Sequence, residues 1–158
     1  YCKAEKFGEE EGLWNLPQFS IYDLAHHNMI FCSALFRKKD WQLVGGYDVN
    51  MIYGLEDWEF WIAILKNEGN VKCLDEVGFY YRIKSDSMIK RLNVEKREKT
   101  FEYLSIKHAD FFVKQLGSFM YLDSVIKHTE SEFSNKLKNK KFVINLFSEI
   151  FFKFKIFK

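Results

Sequence analysis

Proline, cysteine and net charge are all scarce in this sequence. One proline and eight glycines among 158 residues exclude collagen-like and proline-rich classes. The three cysteines, Cys2, Cys32 and Cys73, share no metal-ligand spacing, so we expect reduced thiols in a cytoplasmic protein. A net charge of +2 gives no overall argument for nucleic-acid binding. No stretch reaches the roughly 18 apolar residues that a membrane-spanning helix needs.

The composition is that of a folded globular chain. It is 47% hydrophobic and 29% charged, and its 17 phenylalanines need a buried environment. The length fits one domain, or one domain with an appendage. The sequence opens at Tyr1 without an initiator methionine or a signal peptide, so we expect a fragment or a processed product.

Hydrophobic patterning predicts a mixed first half. We expect a loop or hairpin before residue 20, and then several short elements interrupted by the paired glycines Gly45 and Gly46, which permit positive φ. The elements expected before those glycines are a helix at Ile21–His27, a buried strand at Met29–Phe36 and one or two helical turns at Arg37–Leu43.

The strongest helix signal lies at residues 55–68. Its apolar side chains recur at helical spacing, and they are Trp58, Trp61, Ile62 and Leu65. Gly54 precedes the helix, and Gly69 is the expected left-handed cap. Two short strands are predicted next, Val71–Leu74 and Val77–Ile83, with a turn at Asp75-Glu76. The later periodicity is helical, and the predicted helices are Met88–Gln115, Phe119–Lys138 and Phe142–Lys158, with Gly117 interrupting.

Glu56 and Asp57 are the first candidates for chemistry. Two carboxylates in a first turn can act as a base and its partner if that turn projects into a cleft. Asp57 shares a face with Phe60 and Trp61, and apolar surroundings can raise a carboxyl pKa toward useful base strength. The alternative is that both acids complement the helix dipole.

Basic residues and histidines form the second group of candidates. Arg82 and Lys84 end a predicted strand and can pair with a diphosphate, and the alternative is a surface salt bridge. We assign no metal to the four histidines, because adjacent positions on a helix do not face one site and the other two are isolated. They are His26, His27, His108 and His128.

A basic aromatic tail, defined as residues 136–158, closes the chain. It holds seven lysines, six phenylalanines and one acid, Glu149. Such a helix can lie in the interface of an anionic membrane, or it can pack on its own domain.

Several short motifs between Asn28 and Met88 resemble, in order and spacing, the second half of the catalytic domain of family 2 glycosyltransferases, which have the GT-A fold. The matching pieces are Asn28-Met29-Ile30, Ser33-Ala34-Leu35-Phe36-Arg37, Val44-Gly45-Gly46-Tyr47-Asp48, Gly54-Leu55-Glu56-Asp57-Trp58-Glu59-Phe60-Trp61, Tyr81-Arg82 and Ser87-Met88. The segment that contains these pieces, from Asn28 to Met88, spans roughly 60 of the 158 residues. The first 27 residues fit a variable stretch, and the helical remainder matches nothing common to the family.

The resemblance implies sugar transfer from a nucleotide-diphosphate sugar with inversion. Asp57 is then the general base that deprotonates an acceptor hydroxyl, and Glu56 is its helper or an acceptor ligand. The implied substrate-binding residues are Gly45, Gly46, Trp58, Arg82 and Lys84. The base must lie within hydrogen-bond reach of the attacking oxygen, opposite the leaving diphosphate.

This chain departs from the family pattern at two places that concern a divalent metal ion. The half that binds the nucleotide, with the acidic motif for a divalent cation, normally precedes this region. A magnesium or manganese ion is therefore expected for the parent enzyme, with its ligands largely outside this chain. Many relatives carry a histidine two residues after the arginine of the Tyr-Arg motif, where this chain has Lys84, so no metal ligand is assigned here.

The resulting expectation is an α/β fold, or α+β as a fragment: a partial GT-A sheet with flanking helices and a helical extension. Residues 1–92 would form the acceptor-side half of the domain, and residues 93–158 the extension. The expected parent is a bacterial-type enzyme of cell-surface polysaccharide synthesis, with a glycan or lipid-linked acceptor. We expect it in the cytoplasm, peripheral on the inner face of the membrane.

The sequence also allows functions other than sugar transfer. The main alternative is a non-enzymatic α+β module that docks on a membrane or a partner protein. A nucleic-acid-binding domain is disfavoured by the acidic first third of the chain. As a fragment, the chain is expected to lack transferase activity by itself, and an incomplete sheet with exposed apolar surface favours homo-oligomers.

Overall fold

The computed structural model describes residues 1–87 and 92–157, which form two compact units, Tyr1–Leu116 and Gly117–Lys158. The described part is mixed α/β, with three strands and seven helices. In chain order they are β1 (Cys2–Gly8), β2 (Gly12–Trp14), α1 (Ile21–Leu24), α2 (Lys38–Val44), α3 (Glu56–Leu65), β3 (Leu74–Ile83), α4 (Val94–Lys107), α5 (Ala109–Leu116), α6 (Phe119–Lys138) and α7 (Lys140–Phe152). The predicted start of a helix at Met88 lies outside the described residues. Both α4 and α5 belong to the first unit, and the functional division at residue 92 stays a prediction.

A small sheet with strand order β2-β1-β3 organises the first unit. β1 pairs with β2 as an antiparallel hairpin, which confirms the hairpin expected near the start of the chain. β1 also pairs with β3 in parallel. Parallel pairing requires a long crossover connection, and that crossover carries α1, α2 and α3.

The two strands predicted at Val71–Leu74 and Val77–Ile83 are wrong as separate elements, because one continuous strand, β3, runs from Leu74 to Ile83, and residues 71–73 belong to no strand. Asp75-Glu76 lies within β3 and does not form a turn. β1 pairs with β3 in parallel along this length. The register of the pairing shifts between Cys2 and Lys3 and again between Lys3 and Ala4. Burial alternates along the second half of β3, where Phe79 and Tyr81 are half-buried while Tyr80 and Arg82 are exposed.

The buried strand predicted at Met29–Phe36 is also wrong, because this segment has turns and irregular backbone. The apolar residues of this segment differ in burial. Met29 and Ile30 are buried in the core, and the Phe31 ring contacts the rings of Trp14 and Phe79 at centroid distances of 5.4 Å. Leu35, by contrast, is 94% exposed. An apolar run indicates burial, but its backbone is extended only where another strand is available for pairing.

Helix α3 forms the centre of the core, as its apolar spacing predicts. Trp58, Trp61, Ile62 and Leu65 are all buried. They lie in one cluster with residues of the earlier segments and of α4 and α5, and those residues are Leu24, Met29, Ile30, Leu104 and Phe111. The helix ends at Leu65, and the left-handed residue beyond it is Glu68 (φ 98°) instead of the expected Gly69.

The single helix predicted at Met88–Gln115 is interrupted at His108. The backbone there leaves the helical region, with φ −116° and ψ 35°, and it separates α4 from α5. The His108 side chain is fully buried and hydrogen-bonds to Glu59 on α3. Helical periodicity could not reveal this break, because it results from a contact with a residue that is 49 positions away.

The second unit consists of α6 and α7. The structure confirms α6 at its predicted bounds. Asn139 follows the end of α6 and caps α7, because its side-chain oxygen accepts a hydrogen bond from the backbone N–H of Phe142. The helix predicted to reach Lys158 ends at Phe152, because Lys153 is left-handed (φ 62°). The Asn145 side chain accepts hydrogen bonds from the backbone N–H groups of Ile156 and Phe157, which holds the chain end against α7. Among the described residues, no helix is both long enough and apolar enough to cross a membrane.

Candidate functional site

The candidate site begins at a strained entry to α3. Gly54 and Leu55 have φ values of 103° and 65°, so two consecutive residues lie in the left-handed region. For a leucine this conformation costs about 1–3 kcal/mol. These two left-handed residues set the direction in which the chain enters the first turn of α3. They thereby set the position of Glu56 and Asp57.

The Asp57 carboxylate is partly buried and held on both oxygens. Asn28 Nδ2 donates to Oδ2 at 3.0 Å, and the backbone N–H of Trp58 donates to Oδ1 at 2.8 Å. Asn28 is fixed in turn, because its Oδ1 accepts from the N–H of Ile30 at 3.2 Å. The irregular segment that replaces the predicted strand therefore orients the predicted base.

Burial raises the pKa of Asp57 above its ordinary value, and the neighbouring charge of Glu56 adds to this effect. The hydrogen bonds from Trp58 and Asn28 favour the ionised carboxylate and offset part of the rise. A carboxyl group with a raised pKa is a stronger base once it is ionised. Glu56 itself is exposed.

Cys32 and Tyr47 complete the surroundings of Asp57. Partial burial raises the pKa of each of these groups, and the charge of Asp57 raises both further. The charge of Glu56 raises the pKa of both groups as well. The Tyr47 ring also contacts Phe60 of α3 at a centroid distance of 4.5 Å.

The two glycines differ in what surrounds them. Both have positive φ, 85° at Gly45 and 81° at Gly46. A Cβ on Gly45 would meet no heavy atom within 4 Å, whereas one on Gly46 would lie 2.8 Å from the Trp41 ring. The space at Gly46 is therefore taken by Trp41, whereas the space at Gly45 is open. The substrate-binding role of both glycines stays a prediction.

The side chains of the other predicted substrate-binding residues form no hydrogen bond with Asp57 in the described part of the chain. Trp58 is only 7% exposed, and its indole donates to the Leu24 carbonyl at 2.8 Å, which is a core contact. Arg82 is on the exposed face of β3, opposite the face of Phe79 that meets Phe31, and Lys84 follows on the exposed chain. No contact among the described residues joins either cation to the carboxylate, so their roles stay predictions.

A cluster of charges ties the double-glycine loop to α4. Asp48 accepts hydrogen bonds from Lys107 Nζ and from the Tyr103 hydroxyl, both at 2.6 Å. Burial by itself would raise the pKa of Asp48, but these bonds outweigh it and hold that pKa well below its usual range. The loop that follows Gly46 is thus fixed by an ionised aspartate.

The same lysine connects this loop to α3. Lys107 Nζ lies 2.8 Å from Glu59 Oε1, and His108 Nε2 lies 2.7 Å from the same oxygen. Glu59 is 1% exposed. Burial favours the neutral acid, yet the bonds from His108 and Lys107 lower the pKa of Glu59 below its ordinary value. The cluster of Asp48, Glu59, Tyr103, Lys107 and His108 is called the charge cluster below.

Sequence reasoning named Asp57 but missed the residues that surround it. Asn28 and Tyr47 both stand in the motif pieces quoted above, and that was the available signal. Cys32 carried no signal, because a single cysteine in an apolar run is ordinary. The charge cluster was also missed, since its members come from separate segments of the chain.

Cavities of about 1100 and 410 Å³ are lined by described residues of the first unit. Asp57 and Glu56 line neither of them. The described residues also contain no group of three or more His, Cys, Asp or Glu residues placed to hold a metal ion. We therefore derive no step through the cation that the resemblance implies.

Searches of known protein families, of curated proteins and of solved structures found no match to this chain.

Removing Lys107 should destabilise the first unit. Lys107→Met leaves the buried Glu59 carboxylate without one of its two partners, which should lower the free energy of unfolding by about 1–3 kcal/mol; solvent screening favours the lower values, because the Lys107 side chain is 36% exposed. Urea unfolding followed by circular dichroism measures this loss. Lys99→Met is the matched control, because Lys99 pairs with Glu95 on the exposed face of the same helix. Equal losses in both variants would show that the charge cluster does not stabilise the fold.

The charge on Asp57 should cost stability. Because burial raises the pKa of Asp57 in the folded chain, the neutral acid stabilises the fold at low pH, and this contribution is lost as the pH rises through the folded pKa. Asp57→Asn does not titrate, so its unfolding free energy relative to the original chain should increase between about pH 3 and pH 7. Denaturant unfolding at several pH values measures this difference. Asp75→Asn, on the exposed start of β3, is the control for loss of one negative charge. A difference that decreases with pH would contradict the raised pKa.

Proposed function

We propose that this chain carries the acceptor-side half of an inverting glycosyltransferase that uses a nucleotide-diphosphate sugar. The observation that supports the proposal most directly is the placement of Asp57. This carboxylate lies in the first turn of α3, is partly buried and has a raised pKa. It is oriented by Asn28, and Tyr47, which follows the double glycine, packs against Phe60 of the same helix.

The chemistry proposed for Asp57 is general base catalysis. Its carboxylate accepts the proton of an acceptor hydroxyl while that oxygen attacks the anomeric carbon of the donor sugar. The bond from this carbon to the diphosphate breaks, and the leaving group takes the electron pair. Attack from the side opposite the leaving group inverts the anomeric centre. The acceptor proposed is a hydroxyl of a glycan or of a lipid-linked sugar, as in cell-surface polysaccharide synthesis.

The surroundings of Asp57 suit this role physically. Asn28 holds one carboxylate oxygen at 3.0 Å and thereby limits rotation of the side chain. Positioning a base within reach of its proton removes much of the entropic cost of a bimolecular encounter. Glu56 is exposed beside it and is proposed to accept a hydrogen bond from the acceptor. A divalent cation in the donor half would offset the diphosphate charge, and Arg82 and Lys84 are proposed to assist.

In the protein that contains this chain, Asp57→Asn should lower turnover by about 10²- to 10⁴-fold, the typical contribution of a general base. The measurement is nucleoside diphosphate release from a panel of nucleotide sugars, with and without acceptor, together with a circular dichroism check of folding. Asp75→Asn is the control, because Asp75 is an exposed carboxylate on β3.

Retained turnover in a folded Asp57→Asn protein would overturn the proposal. The Glu56-Asp57 pair would then only start a helix, and the non-enzymatic binding module would become the better interpretation.

The exposed aromatics of the second unit favour a second function, attachment to an anionic membrane surface. In the tail, Phe147, Phe151, Phe152 and Phe154 are each more than half exposed. Lysines surround them, and Lys140, Lys141, Lys153 and Lys155 are exposed as well. Aromatic rings that enter the interface together with lysines near lipid phosphates provide both the apolar and the electrostatic part of such binding.

The chain should therefore bind vesicles that contain anionic lipid and should bind neutral vesicles weakly. Replacing Phe151 and Phe152 together by serine should weaken co-sedimentation with vesicles. Phe133→Ser is the control. Phe133 is 58% exposed, which is close to the exposure of Phe151 and Phe152, but it lies on α6, before the tail. Equal binding to neutral and anionic vesicles, or no binding to either, would contradict this attachment.

A further inference from the structure

The outer edge of β3 has no strand beside it in the described part of the chain. β3 stands last in the order β2-β1-β3, so only one of its two edges is paired, with β1. The carbonyl of Ile83 accepts a hydrogen bond from the N–H of Glu9, just after β1, so the backbone groups of Ile83 point toward β1. Because these groups alternate in direction along a strand, those of Arg82 and Tyr80 point outward. A free edge of this kind is a template for another strand.

One face of β3 carries charges of opposite sign at its two ends. Side chains alternate between exposed and half-buried from Glu76 to Ile83. The exposed ones are Glu76, Gly78, Tyr80 and Arg82. Glu76 lies near the start of this face and Arg82 near its end, and no described residue forms an ion pair with either of them.

This charge pattern selects the direction in which a second copy of β3 could pair. In a parallel copy at the same register, each residue would lie beside its own counterpart, so that glutamate would face glutamate and arginine would face arginine. Like charges directly opposite each other destabilise a strand pair, whereas opposite charges stabilise it. In an antiparallel copy the two ends are exchanged, and the edge becomes complementary to itself in charge.

The backbone also restricts the register of such a pair, because outward-pointing residues must lie opposite one another to exchange hydrogen bonds. A two-fold axis at Phe79 satisfies this condition. Glu76 then lies opposite Arg82 of the second copy, and symmetry repeats the pair. Gly78 lies opposite Tyr80, whose ring is 62% exposed and can cover the glycine, which has no side chain of its own to pack.

We propose that two copies of this chain pair antiparallel along the outer edge of β3, about a two-fold axis at Phe79, and form one six-stranded sheet from two sheets of three strands. Assembly stops at two copies, because the edge that remains is β2, which has only three residues. An Arg82 held by the second copy cannot bind a diphosphate at the same time. The dimer is therefore a state of the chain without nucleotide.

Sedimentation equilibrium of the full chain should show monomers and dimers in exchange. Glu76→Arg places arginine opposite Arg82 at both symmetry-related positions, so the Kd of the dimer should rise about tenfold. Arg82→Glu creates two pairs of glutamates and should have the same effect. Glu98→Arg makes the same change of charge at an exposed residue of α4 and should leave the Kd unchanged. Circular dichroism checks that each variant is folded.

A mixture of the two interface variants is the sharpest test. When one Glu76→Arg chain pairs with one Arg82→Glu chain, opposite charges face each other again at both positions. The mixture should therefore dimerise more tightly than either variant alone, with a Kd close to that of the original chain. Mixing cannot restore a dimer that was lost through misfolding.

Hydrogen exchange followed by NMR locates the interface. The backbone amides of Tyr80 and Arg82 point outward, so their exchange should slow as the chain concentration is raised and the dimer forms. The amide of Tyr81 points toward β1, like that of Ile83, and should be protected at every concentration.

Three results would overturn the proposal. The first is a chain that stays monomeric up to a concentration of about 1 mM. The second is a dimer whose Kd is the same in Glu76→Arg, which would mean that the copies associate through another surface. The third is a mixture of the two variants that dimerises no better than each alone. Turnover in Asp57→Asn bears on none of these results, so this proposal and the proposed function fail independently.

Discussion

The first unit depends on a carboxylate that is buried and still ionised. Glu59 lies in the middle of α3, where a charge would be costly without partners. Lys107 and His108, at the end of α4 and just after it, both reach the same oxygen of Glu59. Lys107 also binds Asp48, so one ammonium group joins α3, α4 and the double-glycine loop. This arrangement sets where α4 ends and where that loop lies.

Glu59 of the charge cluster and the candidate base Asp57 both lie on α3, and their pKa values are shifted in opposite directions. Asp48 and Glu59 are ionised at low cost, because cations and hydroxyl donors surround them, and their pKa values are lowered. Asp57 has an amide and a backbone N–H as partners, and its pKa is raised. Such a separation of carboxyl pKa values is typical of sites in which one group must exchange protons.

Several parts of the fold could be read from the sequence because they depend on local spacing. The apolar stripe from Trp58 to Leu65 predicted α3, and the helical period of residues 119–138 predicted α6. Gly45 and Gly46 permit positive φ, and both adopt it. Asp57 was selected as the base from its position in a first turn and from the resemblance. The structure adds partial burial and the hydrogen bond from Asn28, which are consistent with that role.

Other features followed from contacts between distant segments, and local patterns could not reveal them. The Met29–Phe36 run has the composition of a strand, but its backbone is irregular and Phe31 contacts the rings of Trp14 and Phe79. β3 is continuous because β1 lies beside it, and α4 ends at a histidine that turns toward Glu59. The sequence by itself determined which segments are helical and which residues are apolar enough to be buried. Only the tertiary structure decided which carboxylates stay ionised, because their ionisation depends on partners brought together from separate elements.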